Sequence, residues 1–407
     1  MEKIQTIIIG GGQAALSTSY FLCQRGHEHL VLERASRAGS VWRNDRWDSF
    51  TLLTPNWSIK LPGMTYSGNN PDGFMTPAEL VAYFEKYIEN FELPVQYNTS
   101  VTEVTHLEEG EGWLVNTSDR TFQSRNVVVA TGQFQSPKIP HFSANIPERV
   151  LQIHSGQYRN PAQLPDGAVL VVGSAQSGTQ IAEELHQSGR TVYLCVGSAP
   201  RVPRRYRGRD IFAWLADTGF METTADKLPS ARAKFAGNPH LSGREGGRTI
   251  NLHLFARDGV RLLGRIIGAE EGSIKLARDL RESLARSDKA EADIAAMIDQ
   301  FIEKNRISAP EETLPNYQDG YALDEITELD LRAANINTII WAIGYEFDYS
   351  FVKVPVTDED GYPIQQRGVT QYPGLYFVGL SWLYKRKSPL LMGVGVDADY
   401  IASHITD

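Results

Sequence analysis

Thr6-Ile7-Ile8-Ile9-Gly10-Gly11-Gly12-Gln13-Ala14-Ala15-Leu16 is the stretch on which the reading of this chain turns. A β-branched run stops at three glycines and passes at once into the helix-favouring residues from Ala14 to Leu22, giving strand, glycine turn and helix in that order. The strand Leu30-Val31-Leu32 follows, ends on Glu33 and closes a βαβ unit. In Gly10-x-Gly12-x-x-Ala15 the first glycine permits the tight turn and the second lets backbone approach a pyrophosphate. The small third residue lets the helix pack on the strand. The helix start behind them offers unpaired N–H groups and partial positive charge to phosphate. Glu33 at the end of the second strand would accept bonds from both ribose hydroxyls and repel a 2′-phosphate, so this first site calls for FAD or NAD over NADP. Arg34 beside it is assigned to the same cofactor.

Working outward, the pattern recurs. Val169-Leu170-Val171-Val172 runs into Gly173-Ser174-Ala175-Gln176-Ser177-Gly178, the helical Ile181-Ala182-Glu183-Glu184-Leu185 and the strand Thr191-Val192-Tyr193-Leu194. Gly173, Ser174, Gln176, Ser177 and Gly178 are the candidate contacts to a second dinucleotide, although Ala175 stands where glycine is usual and the backbone must approach pyrophosphate past a methyl group. Beyond this unit, Arg201-Val202-Pro203-Arg204-Arg205-Tyr206-Arg207-Gly208-Arg209 places five arginines where an adenosine 2′-phosphate would sit. Guanidinium forks match phosphate in charge and geometry, so Arg201, Arg204 and Arg205 argue for NADPH over NADH, with a solvated basic loop as the competing reading.

Two dinucleotide openings in one chain predict an α/β fold of two Rossmann-like domains in a glutathione-reductase-like arrangement. The FAD-binding domain spans 1–160 plus 325–407, and the NADPH-binding domain, 166–322, is inserted between them with a helical insert at about 205–305. The proline-bearing stretch from Asn160 to Pro165 marks the boundary. From Arg257 to Asn305 the chain is charged and alanine-rich, with Leu280, Leu284, Ile294, Met297, Ile298 and Phe301 at helical spacing, which predicts helices whose apolar face packs on the second domain.

The chain has 407 residues, enough for two or three domains, and 42% hydrophobic with 22% charged residues is an ordinary globular balance. Lys plus Arg at 40 against Asp plus Glu at 49 gives 40 − 49 = −9, a field that repels nucleic acid and acidic membrane surfaces. No run approaches the roughly 18 apolar residues of a membrane span, and the N-terminus passes directly into a strand without room for a signal segment. A cytoplasmic protein without a membrane span is expected. Cys23 and Cys195 are the only cysteines and form no CxxC pair, so a dithiol reductase reading fails. His27, His29, His186 and His253 lack metal-ligand spacing and no metal is expected, nor is there a G-x-S-x-G hydrolase elbow. What remains is flavin chemistry with nicotinamide, with oxygen or without it.

Further motifs carry a resemblance over nearly the whole chain: Gly39-Ser40-Val41-Trp42-Arg43, Arg46-Trp47-Asp48-Ser49-Phe50 with Thr54-Pro55, Leu61-Pro62-Gly63, Ala130-Thr131-Gly132, Ile339-Ile340-Trp341-Ala342-Ile343-Gly344-Tyr345, Gly374-Leu375-Tyr376-Phe377-Val378-Gly379 and Gly393-Val394-Gly395-Val396-Asp397-Ala398. They resemble the single-component class B flavin-dependent monooxygenases, the group of flavin-containing monooxygenases, Baeyer-Villiger enzymes, YUCCA-type enzymes and bacterial CzcO-like flavoproteins. The resemblance implies FAD contacts at Gly39, Trp42, Thr131, Gly132, Gly344, Gly379, Gly395 and Asp397, with Gly393 and Gly395 opening a helix that faces the flavin ring. It implies a polar contact near flavin and nicotinamide at Asn56, and a nucleotide-sensing linker hinge at His154 in His154-Ser155-Gly156-Gln157-Tyr158. Two departures bear on the chemistry. Glu148 and Val150 stand where the linker signature has Phe and Gly, which speaks against Baeyer-Villiger oxidation, and Gly197 stands where an arginine is frequent. The implied activity is an FAD- and NADPH-dependent monooxygenase. It would form a flavin C4a-hydroperoxide and oxygenate a small-molecule nitrogen or sulfur nucleophile, or a carbonyl, with molecular oxygen as co-substrate. An NADPH oxidase or flavin dehydrogenase without oxygenation, and a non-catalytic flavin redox sensor, are the alternatives. The resemblance leaves room for a homodimer.

Overall fold

The computed structural model describes residues 1–107 and 112–407. The chain opens as the sequence predicts, with strand β1 (Glu2–Ile9), helix α1 (Gln13–Gln24) and strand β2 (His29–Leu32). Helices α2 (Ser40–Asn44) and α3 (Pro77–Asn90) follow, then β3 (Val95–Gln96), β4 (Val101–His106), β5 (Trp113–Thr117) and β6 (Thr121–Val129). These strands form one sheet in the order β3-β2-β1-β6-β5-β4. Strand β1 lies parallel to both neighbours, with Ile8 opposite Val31 and Val128. Ile7, Ile8, Val127 and Val128 have no exposed surface, as parallel strands covered on both faces require. Helix α3 starts with a capping box between Thr76 and Glu79 and a proline in its first turn, so its boundary is locally encoded.

A second sheet is built from β7 (Leu151–His154), β8 (Ala168–Val172), β9 (Val192–Cys195), β10 (Arg261–Leu263) and β11 (Ile336–Trp341), ordered β7-β11-β8-β9-β10 and parallel throughout. Helices α4 (Gln176–Gln187), α5 (Ile211–Asp217), α6 (Leu252–Asp258) and α7 (Leu280–Asn305) belong to this half. The chain then returns through β12 (Leu375–Phe377), parallel to β6 with Tyr376 opposite Val128, and ends in α8 (Val394–Thr406). Helix α8 lies against α1, where Arg25 bonds Asp399 at 2.7 Å and Ser403 at 2.8 Å.

This topology moves two expected boundaries. Leu151–His154 and Ile336–Trp341 belong to the second sheet, so the chain enters that sheet before Leu151 and leaves it after Trp341, where boundaries at residues 160 and 325 were expected. Strand periodicity marks a strand without naming its partners, and only pairing decides the sheet. The expected helices between Arg257 and Asn305 are also reduced. Arg261–Leu263 is the edge strand β10, and Ile266–Glu270 with Ser273–Leu276 is an antiparallel hairpin. The single helix α7 carries the remainder, burying Leu280, Leu284, Ile298 and Ile302. Its outer face is laced by Glu282–Arg286 and Lys289–Asp293 pairs, each at 2.6 Å.

The inner face of α7 also holds a polar cluster. Asp288 accepts from Tyr321 at 2.6 Å, lies 3.2 Å from His253 Nε2 and pairs with Arg201 at 2.8 Å. Burial pushes its carboxyl up, but the bonds from His253, Tyr321 and Arg201 outweigh that and hold it at about 2. A depressed carboxylate contributes stability above its unfolded pKa and loses it as pH falls toward the folded value. Asp288→Asn is therefore expected to flatten the acid limb of an unfolding titration between about pH 4 and pH 2. Circular dichroism against pH reads this, and an unchanged limb would mean that Asp288 is not a linked group. Among the described residues no helix is long and apolar enough to cross a membrane.

Candidate active site

The first turn has the geometry of a phosphate cradle. Gly10 has φ +108°, and a Cβ there would stand 2.7 Å from the Ala130 carbonyl oxygen, so the turn closes only with glycine. Gly12 caps α1 with open space around its α-carbon, and no side chain caps the helix. The first N–H groups of α1 thus keep their bonding capacity for a ligand. Ala15 is fully buried against the sheet. Glu33 is also buried, accepting from Gly11 N at 2.5 Å and from Ala35 N at 2.8 Å, so its carboxylate stands at the turn where a ribose would lie. Arg34 is exposed next to it.

Around this turn the other expected flavin contacts gather. The turn after β6 brings Thr131 and Gly132 beside Gly10, with Gln135 bonding Thr131 Oγ1 at 2.9 Å and the Gly132 carbonyl at 2.7 Å. Gly379 packs on Ala14, where a Cβ would stand 2.4 Å from the alanine methyl. Gly39 caps α2, and Trp42 on that helix stacks under the Arg46 guanidinium at 4.8 Å. Helix α8 starts at Gly393 without a side-chain cap, with Gly395 packed on Pro62. Asp397 in its first turn is 1% exposed, and one of its oxygens has no partner. Burial pushes this carboxyl up, against Ser388, Arg367, Lys385 and Lys387, which pull it down.

The loop from Trp47 to Asn56 adds a set of unmet polar atoms. Trp47 Nε1, Ser49 Oγ, Thr51 Oγ1 and Asn56 Oδ1 are all buried without a partner. Asn56 is 5% exposed and spends its amide nitrogen on the Asn70 carbonyl at 3.0 Å, leaving its oxygen free. Buried polar groups are paired in folded proteins, so four such atoms on one loop mark a place shaped for a polar ring or for water. With the open cradle at Gly12 and the unpaired Asp397 oxygen, the residues present fit FAD. Of these four only Asn56 was expected to make a contact; Trp47 and Ser49 stood in the Arg46–Phe50 motif without an assigned role, and Thr51 lay outside every motif.

The second turn repeats the cradle with a tighter interior. Gly173 has φ +106°, α4 starts at Ala175 without a side-chain cap, and Gly178 abuts the Gly173 carbonyl. The residues of this turn divide their roles. Ser174 points inward and its Oγ accepts from Gly197 N at 2.9 Å. Gln176 reaches the other way, donating to the Pro239 carbonyl and accepting from Leu241 N at 3.2 Å, while Ser177 is half-buried at the helix start. These residues and the free N–H groups of α4 fit a second pyrophosphate.

The basic loop does not form the cationic patch expected of it. Arg201 is 4% exposed and bonds Glu291 at 2.7 Å and Asp288 at 2.8 Å, so it meets two acids in the interior. Arg204 is 1% exposed, pairs with Asp210 at 2.5 Å and donates to the Leu53 carbonyl at 2.6 Å. Both guanidiniums are paired with interior acids, Arg201 through Nη2 alone, its Nε and Nη1 being buried without a partner. Arg205 is exposed, with its fork on the Gly246 and Gly247 carbonyls at 2.6 and 2.9 Å. The acids that claim Arg201 lie 87 and 90 residues along the chain (288 − 201 and 291 − 201), beyond any local pattern.

His154 ends β7, beside the turn that follows β11. Gly156 N donates to its Nδ1 at 3.2 Å, so Nε2 carries the proton and donates to the Gly344 carbonyl at 3.0 Å. Burial holds its pKa below the ordinary histidine value, against the opposing pull of Gly344 and Asp45. The ring packs on Tyr345 at 4.6 Å, and Ser155 N donates to the Trp341 carbonyl at 2.9 Å. Both nitrogens are engaged, so His154 ties one linker to the other and is not a group that moves a proton. Gly344 belongs to the same knot.

Comparison with known proteins agrees with this geometry. The family described as pyridine nucleotide-disulphide oxidoreductase matches residues 7–214. An uncharacterized oxidoreductase named CzcO-like from Geobacillus kaustophilus is 34% identical over 404 residues, covering 99% of this chain and 98% of that protein. A probable indole-3-pyruvate monooxygenase, YUCCA1 of Arabidopsis thaliana, is 30% identical over 213 residues, 51% of this chain and 50% of that protein. Among solved structures, a flavin-containing monooxygenase from Stenotrophomonas maltophilia shares the fold with a TM-score of 0.67 at 19% identity, covering 100% of this chain and 99% of that one.

Proposed function

Because this chain belongs to the pyridine nucleotide-disulphide oxidoreductase family, and there to the CzcO-like oxidoreductases, we propose that it is an FAD- and NADPH-dependent monooxygenase acting on a small molecule. One observation carries the choice of oxygen as electron acceptor. The only two cysteines lie apart, Cys23 on α1 and Cys195 on β9, both unpaired, so the chain has no dithiol to receive electrons from a flavin. Burial pushes the Cys195 thiol up to about 12, which further removes it from redox chemistry.

Bound at the first turn, FAD supplies two-electron chemistry between nicotinamide and oxygen. The chain's own residues do the rest. Gly10, Gly12 and the start of α1 hold the pyrophosphate, Glu33 the ribose, and the start of α8 favours negative charge at the ring. Gly173, Gly178 and the start of α4 hold the coenzyme. Asn56 would offer its free Oδ1 to the cofactor, and the largely buried Trp47–Asn56 loop would keep water from it. The monooxygenases among the similar proteins support this reading.

Rapid mixing of NADPH-reduced enzyme with oxygenated buffer, followed by flavin absorbance, tests it. The expected result is a phase with a spectrum belonging to neither reduced nor oxidised flavin, lasting seconds or longer, before oxidised flavin returns. Direct return with one peroxide per flavin, with and without amines, sulfides and ketones, would make the enzyme an oxidase.

A further inference from the structure

We propose that Arg386 is the anion-binding residue of the substrate site, and that the molecule oxygenated carries a carboxylate or another planar monoanion. The proposal rests on the reading of the site as a flavin-dependent oxygenating centre. Arg386 belongs to the loop between β12 and α8, and that loop is fastened to flavin-binding elements at both ends. Gly379 packs on Ala14, Gln13 Nε2 donates to the Pro389 carbonyl at 2.5 Å, and the Lys387 backbone lies against Gly393 at the start of α8. The same loop packs on residues 220–225, with Arg386 N on the Thr223 carbonyl at 2.9 Å and Ala225 N on the Tyr384 carbonyl at 2.8 Å.

The guanidinium is held between two rings, 4.2 Å from the Phe220 centroid and 4.7 Å from that of Trp382. Its neighbours have a counter-ion: Lys385 bonds Glu222 at 2.8 Å and Lys387 bonds the same carboxylate. Arg386 has no carboxylate partner among the described residues, and its Nε is buried without any partner. Burial alone pulls its pKa down, with no nearby acid to restore it. Arg367 is in a similar position, stacked on Tyr384 at 4.1 Å and Tyr400 at 3.8 Å with an unpartnered buried Nε. Lys385 and Lys387 thus share Glu222, and Arg367, Lys385 and Lys387 also act on Asp397, while Arg386 has no such acid.

A half-buried charge without a counter-ion is costly, and ring faces compensate only its charge, leaving Nε unbonded. A cation kept in that condition points to a ligand that completes it. The two pyrophosphates already have their own turns at Gly10–Gly12 and Gly173–Gly178. On this reading the anion that reaches this loop is carried by the substrate, and a carboxylate fits a guanidinium fork in two parallel bonds.

Benzoate and its neutral isostere benzamide are suitable probes, titrated by calorimetry into the oxidised, FAD-loaded enzyme without coenzyme. Benzoate is expected to bind at least about tenfold more tightly than benzamide, and Arg386→Gln to bring the two within about twofold. Arg386→Lys, which keeps the charge and loses the fork, should lower benzoate affinity severalfold at normal flavin content, and it decides the matter if the glutamine variant fails to fold. Equal binding of the two probes to the wild-type enzyme, or a preference undiminished in either foldable variant, overturns the proposal. Since the titration contains neither coenzyme nor reduced flavin, its result is independent of whether oxygen transfer is seen on rapid mixing.

Discussion

Gly178→Ala is expected to give a protein that still carries FAD but is reduced by NADPH at least about a hundredfold more slowly, the scale of loss when reacting groups are misplaced by about an ångström. A Cβ at Gly178 would stand 1.8 Å from the Gly173 carbonyl oxygen and 2.8 Å from its carbon. Both lie on backbone inside the turn itself, so no side-chain rotation relieves the contact. The turn must open, and the N–H groups at the start of α4 lose their aim. The first turn lies on a different sheet and has Ala15 at the matching position, fully buried and accommodated. The two cofactors should therefore separate: flavin content after gel filtration stays at the wild-type ratio while anaerobic reduction by NADPH collapses. An unchanged reduction rate would remove the second turn from coenzyme binding, and loss of flavin would mean that the two units do not fold independently.

Arg204→Ala is expected to cost about 3–5 kcal/mol of stability, the usual penalty for leaving a buried charge without its partner. The substitution abandons Asp210, which also caps α5 by accepting from Phe212 N at 2.9 Å, together with the Leu53 carbonyl. It also removes a guanidinium stacked 4.3 Å from the Phe74 centroid. Because Leu53 lies in the loop that leads to Asn56, the loss should loosen the interdomain contact as well as the insert. A residue whose task was to bind 2′-phosphate would behave differently, leaving stability near wild type and raising the KM for NADPH alone. Urea unfolding and the KM values for NADPH and NADH, measured on the same variant, distinguish the two. Arg205→Ala serves as the contrast, since its exposed fork rests on backbone carbonyls and its loss should cost under about 1 kcal/mol.

These two residues also mark the limit of what was legible before the fold was known. Gly178 could be read from spacing, because the demands of a βα turn are met within a few residues. Arg204 was legible as a cation near the right strand, but its charge is spent on Asp210 and on a carbonyl 151 residues earlier in the chain. Arg386 left no mark at all, since a basic loop before a helix has the same appearance whether or not its counter-ion is present.

By itself the sequence determined that this protein has two βαβ openings, that the first is closed by glycine and backed by an acid at Glu33, and that no thiol pair exists for disulfide chemistry. Each of these depends on contacts between near neighbours or on composition, which the order of residues states directly. The tertiary structure decided which sheet receives Leu151–His154 and Ile336–Trp341, and that His154 joins two linkers with both nitrogens bonded. It also decided that Arg201 and Arg204 face acids instead of solvent. Those outcomes depend on which distant segments share a strand edge or a buried pocket, and the energy of a buried charge is fixed only when its partner arrives from another part of the chain.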